Sequence, residues 1–308
     1  MSLSPQGHAS VQIAAHELGT GTYTIVAITA ADRLGLPLGA VHVQIGDSDL
    51  PPAGLAAGSS HGTSVCNVVA RGCESIRDRI ARAASGSPDS VFAGAAPETL
   101  RLAGGVLRGA DGAVEPLEKA LARAAAGVLE VHVENVPPGL PDESIRKLYQ
   151  GKPSILHGTS REEEACFSFG AQFVEVRVHR LTREIRVPRM VGAFAAGTIV
   201  NPITAHSQLM GGMIWGLGCA LHEETEIDRR AARYVNDNIA EYLIPVNADV
   251  RSVDVIIVPE HDEQVNPLGM KGIGEIGIVG MNAAIANAVF HATGRRIREL
   301  PIRLEDLL

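Results

Sequence analysis

The chain has 308 residues, 45% of them hydrophobic and 20% charged, with 33 glycines and 17 prolines, a composition that excludes disorder and suits about two domains. Its 27 basic residues against 35 acidic ones give a net charge of −8, and aromatics make up 4%, so a footprint for nucleic acid is absent. No stretch reaches the roughly 18 uninterrupted apolar residues of a membrane span, and Met1 to Ser10 lacks the basic and apolar regions of a secretion leader.

Val11 to Ala15 alternates as a strand, with almost nothing before it to start a domain, so the chain is expected to begin mid-fold with Met1-Ser2-Leu3 extraneous. The turn Gly19-Thr20-Gly21-Thr22 leads into a helical period over Tyr23 to Leu34. Val41 to Ile45 predicts a second strand, stopped by Gly46-Asp47-Ser48-Asp49. After a Pro/Gly/Ala/Ser loop, Thr63 to Ala84 predicts one long helix with Arg71, Arg77, Arg79 and Arg82 toward water. The stretch from 85 to 151 is weaker, with a helix expected at Pro116 to Ala126. Ala171 to His179 and Glu184 to Val191 predict a hairpin. Asn201-Pro202 opens a helix to Leu221 with a capping residue and a proline at its first position. Gly211, Gly212, Gly216 and Gly218 inside it each cost about 1 kcal/mol relative to alanine, so another helix or a ligand must approach closely. Val253 to Val258 predicts a strand and Ile276 to His291 a single helix. Strict βαβ alternation is missing, which predicts an α+β fold of two-layer, helix-on-sheet subdomains spanning 1–155 and 156–308.

Three loops run small residues into a helix start, where free N–H donors and the positive dipole end suit an anion. They are Gly19–Thr22, Gly58–Ser64 with its hydroxyls Ser59, Ser60, Thr63 and Ser64, and Lys271–Gly277. Each is more often a tight turn than a phosphate cradle; the third glycine of a dinucleotide fingerprint and a P-loop are both missing. For Glu275 the residues leave two readings: a carboxylate resting on its own helix start with Lys271 balancing it, or a general base in a narrow, water-poor loop. His222, Glu223 and Glu224 read as solvated helix-end residues, His157, His179, His261 and His291 as isolated histidines. Cys66, Cys73, Cys166 and Cys219 lack C-x-x-C or zinc spacing and read as reduced, mostly buried thiols in a cytoplasmic protein.

The run from Val200-Asn201-Pro202 through Gln208-Leu209-Met210-Gly211-Gly212 to Gly218, followed by Asn238 to Tyr242 and Asn266-Pro267-Leu268-Gly269-Met270-Lys271-Gly272-Ile273-Gly274-Glu275, resembles the molybdenum-binding subunit of the xanthine dehydrogenase and aldehyde oxidase family. Bacterial aldehyde-oxidising members are the nearest in pattern. The resemblance implies that Glu275 is the catalytic base, taking the proton from the hydroxide on molybdenum so that oxygen drawn from water reaches an aldehyde or a purine-like heterocycle. It implies that Gln208 approaches the pterin, that Gly19, Thr20, Gly21 and Thr22 form a pterin-contacting loop, and that Ser59, Ser60, Thr63 and Ser64 form a second cofactor loop. Lys271, Gly272 and Gly274 surround the catalytic carboxylate, and no side chain ligates the metal. The implied cofactor is molybdenum–molybdopterin in its cytosine dinucleotide form, with FAD and [2Fe-2S] on partner subunits.

Departures limit the likeness. Thr20 stands where some members have glutamine, and Thr198 where many have a basic residue. The chain resembles only the C-terminal half of the subunit; the N-terminal half, with its Gly-Gly-Phe-Gly loop and most of the substrate pocket, is an implied partner beside the iron–sulfur and FAD subunits. Location in the periplasm within an exported complex stays open. A non-catalytic remnant serving as a scaffold is the competing reading, and the presence of both Gln208 and Glu275 weighs against it. Apolar surface left for the other half is expected to make the chain self-associate.

Overall fold

The computed structural model describes residues 1–152, 154 and 165–308. His157 and the boundary expected between 155 and 156 lie outside them. The chain forms two compact units, Met1–Cys166 with Glu263–Gly269, and Phe167–Asp262 with Met270–Leu308. Both are α+β, with helices laid on small sheets.

The first unit runs β1 (Ser2–Leu3), β2 (Ala9–Gln12), α1 (Thr22–Leu34), β3 (Val41–Gln44), α2 (His61–Ser85), β4 (Arg101–Ala103), β5 (Val106–Arg108), β6 (Val114–Pro116), α3 (Leu117–Ala124), β7 (Leu129–Glu130) and α4 (Asp142–Tyr149). Its main sheet has the order β3-β2-β1-β7, with β2 and β3 parallel across α1. Ser2 and Leu3 are therefore not extraneous: they pair with β2 on one side and β7 on the other, and Leu3 is wholly buried. Ala9, Val11, Ile13 and Ala15 turn inward at every second residue and meet Val26 and Leu34 of α1 and Ile76 and Ile80 of α2 in one core. The helix α1 stops at Gly35, whose φ of 62° and whose missing Cβ, which would lie 2.6 Å from the Leu102 carbonyl oxygen, both require glycine. The remaining strands form an antiparallel sheet, β4-β5-β6. On β6 the nearly inaccessible Glu115 accepts from Arg123 Nη1 of α3 at 2.7 Å.

In the second unit β8 (Phe169–Val178) and β9 (Ile185–Ala195) form the expected hairpin. The helix α5 (Pro202–Leu221) follows, then a short ribbon of β10 (Ile227–Asp228) and β11 (Arg233–Tyr234), and β12 (Ser252–Ile257), which pairs parallel to β9 to give the order β12-β9-β8. Asn201 Oδ1 caps α5 by accepting from the N–H groups of Ile203 and Thr204 at 3.1 and 3.4 Å, with Pro202 at the first helical position. Leu209, Met213 and Leu217 of α5 pack with Met190 and Phe194 of β9.

The single helix expected over Ile276 to His291 is two, α6 (Ile276–Val279) and α7 (Met281–Thr293), broken at Gly280. The Gln172 side chain of β8 occupies the space beside the break, where a Cβ on Gly280 would meet its Oε1 at 2.6 Å. These two helices are what Gly212 and Gly216 of α5 admit: a Cβ on Gly212 would lie 2.8 Å from Gly277 Cα, and one on Gly216 would lie 2.5 Å from Met281 Cβ. Ile276–Thr293 is long and apolar enough to cross a membrane by composition, yet Met281, Ile285 and Val289 are fully buried in the unit's core, which is the use a core helix makes of such residues.

Candidate functional site

The second predicted loop enters α2 through two residues in the left-handed region, Gly58 at φ 61° and Ser59 at φ 55°. Serine rarely adopts that conformation, and such strain concentrates at ligand-holding turns. Ser59 Oγ is buried without a hydrogen-bond partner. Ser60, at the capping position, turns its hydroxyl back to the Ala57 carbonyl at 3.0 Å and leaves the first-turn N–H groups of α2 uncapped. Thr63 and Ser64 lie in that first turn, and His61 Nε2 accepts from the His16 N–H at 3.1 Å. Burial, and then the nearby His16, hold His61 below the usual imidazole range.

The first loop has its donors taken. Glu17 Oε1 accepts from the N–H groups of Gly19 and Gly21 at 2.8 and 3.0 Å, and Oε2 from Tyr23 at 3.3 Å. A carboxylate of the chain itself thus occupies the anion position expected to be free, leaving the exposed Thr20, whose hydroxyl lies 3.2 Å from that of Thr22. Desolvation pushes the Glu17 carboxyl up, but the backbone bonds from Gly21, Tyr23, Gly19 and Thr22 outweigh it and the net direction is down.

The third loop is held by side chains that reach its carbonyls. Ser168 Oγ donates to Gly272 O at 2.7 Å, Gln208 Nε2 to Gly274 O at 2.8 Å, and Gln172 Nε2 to Gly277 O at 2.6 Å. Lys271 does not balance Glu275: its Nζ lies 2.7 Å from Glu260 and 2.8 Å from Asp262, with a side chain 6% exposed, and 5.9 Å from the Phe169 ring. Glu260 also accepts from the Gly197 N–H at 2.7 Å. The bond from Lys271, and then that from Gly197, draw the Glu260 carboxyl down, while Asp262 and then Glu260 push the Lys271 ammonium up. Glu275 precedes the single turn of α6 without capping it and stands exposed, contrary to the water-poor loop expected, because none of the described residues walls it in. Gln208, expected toward a pterin, spends its amide N–H on the loop backbone.

His222, Glu223 and Glu224 are half-buried and engaged, not solvated: His222 Nε2 lies 4.0 Å from Asp249, Tyr242 donates to Glu223 at 3.3 Å, and Glu224 pairs with Arg303. His179 holds its own turn through Thr182, and His291 is exposed. All four cysteines are free; Cys66 and Cys73 are buried, Cys219 is partly so and Cys166 is exposed. Among the described residues no group of three or more His, Cys, Asp or Glu side chains is placed to hold a metal ion. Ser168, Gln172, Glu260 and Asp262 were not singled out from the sequence; each acts on residues close to Glu275 only through the fold.

A family model described as a molybdopterin cofactor-binding domain matches residues 1–251. The aldehyde oxidoreductase molybdenum-binding subunit PaoC of Escherichia coli K12 is 37% identical over 307 residues, 99% of this chain and 37% of that protein. A probable xanthine dehydrogenase subunit of Bacillus subtilis strain 168 is 28% identical over 309 residues, 100% of this chain and 38% of that protein. Among solved structures, quinoline 2-oxidoreductase from Pseudomonas putida 86 superposes with a TM-score of 0.74 at 23% identity, over 99% of this chain and 37% of that one, a likeness of fold. The chain thus spans 37 to 38% of the length of these two curated relatives.

Proposed function

The chain belongs to the molybdopterin cofactor-binding domain family, and on that premise we propose that it is the base-bearing, cofactor-binding portion of a molybdenum hydroxylase that oxidises aldehydes. The observation that carries the reading is the glycine loop around Glu275, whose carbonyls are fixed before it by Ser168 and Gln208 and after it by Gln172 while the carboxylate itself is left free to act. Backbone fixed on both sides of a carboxylate is what holding a proton acceptor in place requires.

The residues fit a phosphate-bearing cofactor. The buried, unpartnered Ser59 Oγ and the uncapped start of α2 form a set of donors suited to an anion, and Ser60, Thr63 and Ser64 add hydroxyls beside it. That chemistry favours a dinucleotide form of the pterin, such as the cytosine dinucleotide. Gly19, Thr20, Gly21 and Thr22 would meet it through side-chain hydroxyls and loop shape, since Glu17 holds the N–H groups. Gln208, Gly272 and Gly274 border the base, and Lys271 anchors their loop through Glu260 and Asp262. The bound molybdenum–pterin supplies the two-electron redox chemistry.

The net reaction turns an aldehyde and water into a carboxylic acid, two protons and two electrons. Glu275, exposed after Gly274, takes a proton from the water-derived nucleophile. Electrons leave toward an iron–sulfur subunit and an FAD subunit, and the N-terminal half of the molybdenum subunit closes the pocket, with residues 1–155 and 156–308 as the two cofactor-binding subdomains here. Whole-chain identity to an aldehyde oxidoreductase subunit supports the aldehyde; the lower identity to a xanthine dehydrogenase subunit makes a purine-like heterocycle the second reading.

The test is molybdenum by plasma mass spectrometry and pterin by fluorescence, on the chain alone and after co-expression with an N-terminal half. Cofactor retained only in the complex supports the reading. Cofactor absent from both, or aldehyde-dependent dye reduction by the isolated chain, overturns it.

A further inference from the structure

Two helix starts of the first unit lie side by side and are filled differently. His61, the first residue of α2, accepts through Nε2 from the N–H of His16, the residue before Glu17, and a Cβ on Gly62 would lie 3.1 Å from Ile25 Cδ1 of α1. The start of α2 is uncapped, and Ser59 Oγ next to it is buried without a partner. The start of α1 likewise has no capping side chain at Gly21 and no acidic residue in its first turn, yet its donors are spent. Gly19 and Gly21, at φ 88° and 77°, turn their N–H groups onto one oxygen, Glu17 Oε1, and the Tyr23 N–H reaches Oε2. Backbone N–H groups that converge in this way form a concavity suited to one anion. Space does not keep a ligand away from it: Glu17 and Gly19 are exposed, and a Cβ on Gly19 would meet nothing within 4 Å. What keeps an anion away is the carboxylate already there.

We propose that Glu17 is a positioning residue that closes the start of α1 to the phosphates of the cofactor, leaves the start of α2 as their seat, and holds the 19–22 turn in shape for an uncharged edge of the same ligand. It acts through the loop and does not touch the ligand. The inference rests on the reading of the chain as a binder of a phosphate-bearing cofactor, and it goes beyond that reading by giving the two loops different tasks. The physical reason is occupancy together with charge. A filled set of N–H donors has nothing to offer a second anion, which also meets a charge of its own sign there. A phosphate arriving at two neighbouring helix starts is therefore held by the one whose donors are free. Tyr23 fixes the turn from the other side, its hydroxyl donating to the Ile45 carbonyl at 3.2 Å, so the loop shape that Glu17 sets is tied to the end of β3.

The experiment is titration of the chain with inorganic pyrophosphate, followed through the backbone amide resonances of 15N-labelled protein. In the wild-type chain pyrophosphate should shift the amides of residues 59–64 and leave those of Gly19, Gly21 and Tyr23 in place. In Glu17→Ala those three should respond as well, with an affinity at least about tenfold above that of the same loop in the wild type, and sodium acetate should return them toward their wild-type positions by supplying the missing carboxylate. Glu17→Gln keeps a carbonyl oxygen for Gly19 and Gly21 and should stay closed; opening equal to that of the alanine variant overturns the claim that occupied donors shut the loop. A turn that loosens in Glu17→Ala is equally decisive, because the added anion must then re-form it. An alanine variant that answers to neither anion, the result of a purely structural role, overturns the inference. So do wild-type shifts at Gly19, Gly21 and Tyr23 at the concentrations that act on 59–64, and these spare the functional reading. A wild-type chain with no response at 59–64 overturns the phosphate seat at α2 and the cofactor reading with it, while closure of α1 by Glu17 is still decided by the alanine variant.

Discussion

Replacing Gly211 or Gly212 by alanine adds the same methyl group to the interior of the same helix, so a propensity gain of about 1 kcal/mol is common to both variants. Their surroundings differ. A Cβ on Gly211 meets nothing within 4 Å, whereas one on Gly212 lies 2.8 and 2.9 Å from Gly277 Cα and C and 3.1 Å from Ile278 N. Those atoms are backbone and cannot swing away as a flexible side chain would, which puts the overpacking cost near the upper end of the usual range, about 3 kcal/mol. Gly211→Ala should therefore stabilise the second unit by about 1 kcal/mol and Gly212→Ala destabilise it by about 2, a separation of about 3 in which the propensity term cancels. Trp215, the chain's single tryptophan, lies on α5 and reports unfolding of this unit in urea. Two variants within about 0.5 kcal/mol of each other would refute the claim that backbone contact with Gly277 is why residue 212 is glycine.

Gln172→Leu leaves the Gly277 and Ile276 carbonyls without their side-chain donor, for a loss of about 1 to 3 kcal/mol; amide exchange over 276–280 should quicken while α2 stays unchanged, and equal exchange in both proteins would count against it. Arg123→Ala strands Glu115, its side chain 2% exposed, with Lys119 at 3.9 Å and the Ser90 hydroxyl at 3.4 Å, and should cost about 3 kcal/mol; Glu115→Gln with Arg123→Met should cost less than the single change, and thermal melting decides. Because Glu17 is held below its unfolded value, its contribution to stability is present above the ordinary carboxylate range and is lost as pH falls through the folded value. Glu17→Gln should flatten the acid limb of a stability-versus-pH curve, and an unchanged limb would show that the carboxylate does not hold the α1 loop.

What was legible in the sequence was local. Asn201-Pro202 announced the start of α5, alternation announced β2 and the β8–β9 hairpin, and four glycines within eight residues announced a close approach, found at Gly277 and Met281. The resemblance rested on contiguous motifs for the same reason. What could not be read depends on partners far along the chain. Gly280 looks like any helical glycine until Gln172, on another element, is placed against it. Lys271 sits four residues before Glu275, at the spacing of an ion pair, yet Glu260 and Asp262 reach it first because a loop returns them to the same place. Glu17 escaped notice for a different reason: a carboxylate two residues before a glycine turn is ordinary in sequence, and only its geometry makes it the anion that the turn accommodates.

The third loop separates two requirements that the proposed catalytic role of Glu275 combines. Its position is set within this chain: hydrogen bonds from Ser168, Gln208 and Gln172 hold the carbonyls of residues 272, 274 and 277, and Gly212 meets Gly277 backbone to backbone, so the loop has little room to shift around Glu275. Its seclusion from water is not set by the described residues, since the side chain stands exposed. A carboxylate whose position is already set needs no rearrangement of backbone to serve as the proposed base, only exclusion of solvent. Variants of Gln172 or Gly212 should disturb the loop around Glu275 in the isolated chain itself, with no second protein present.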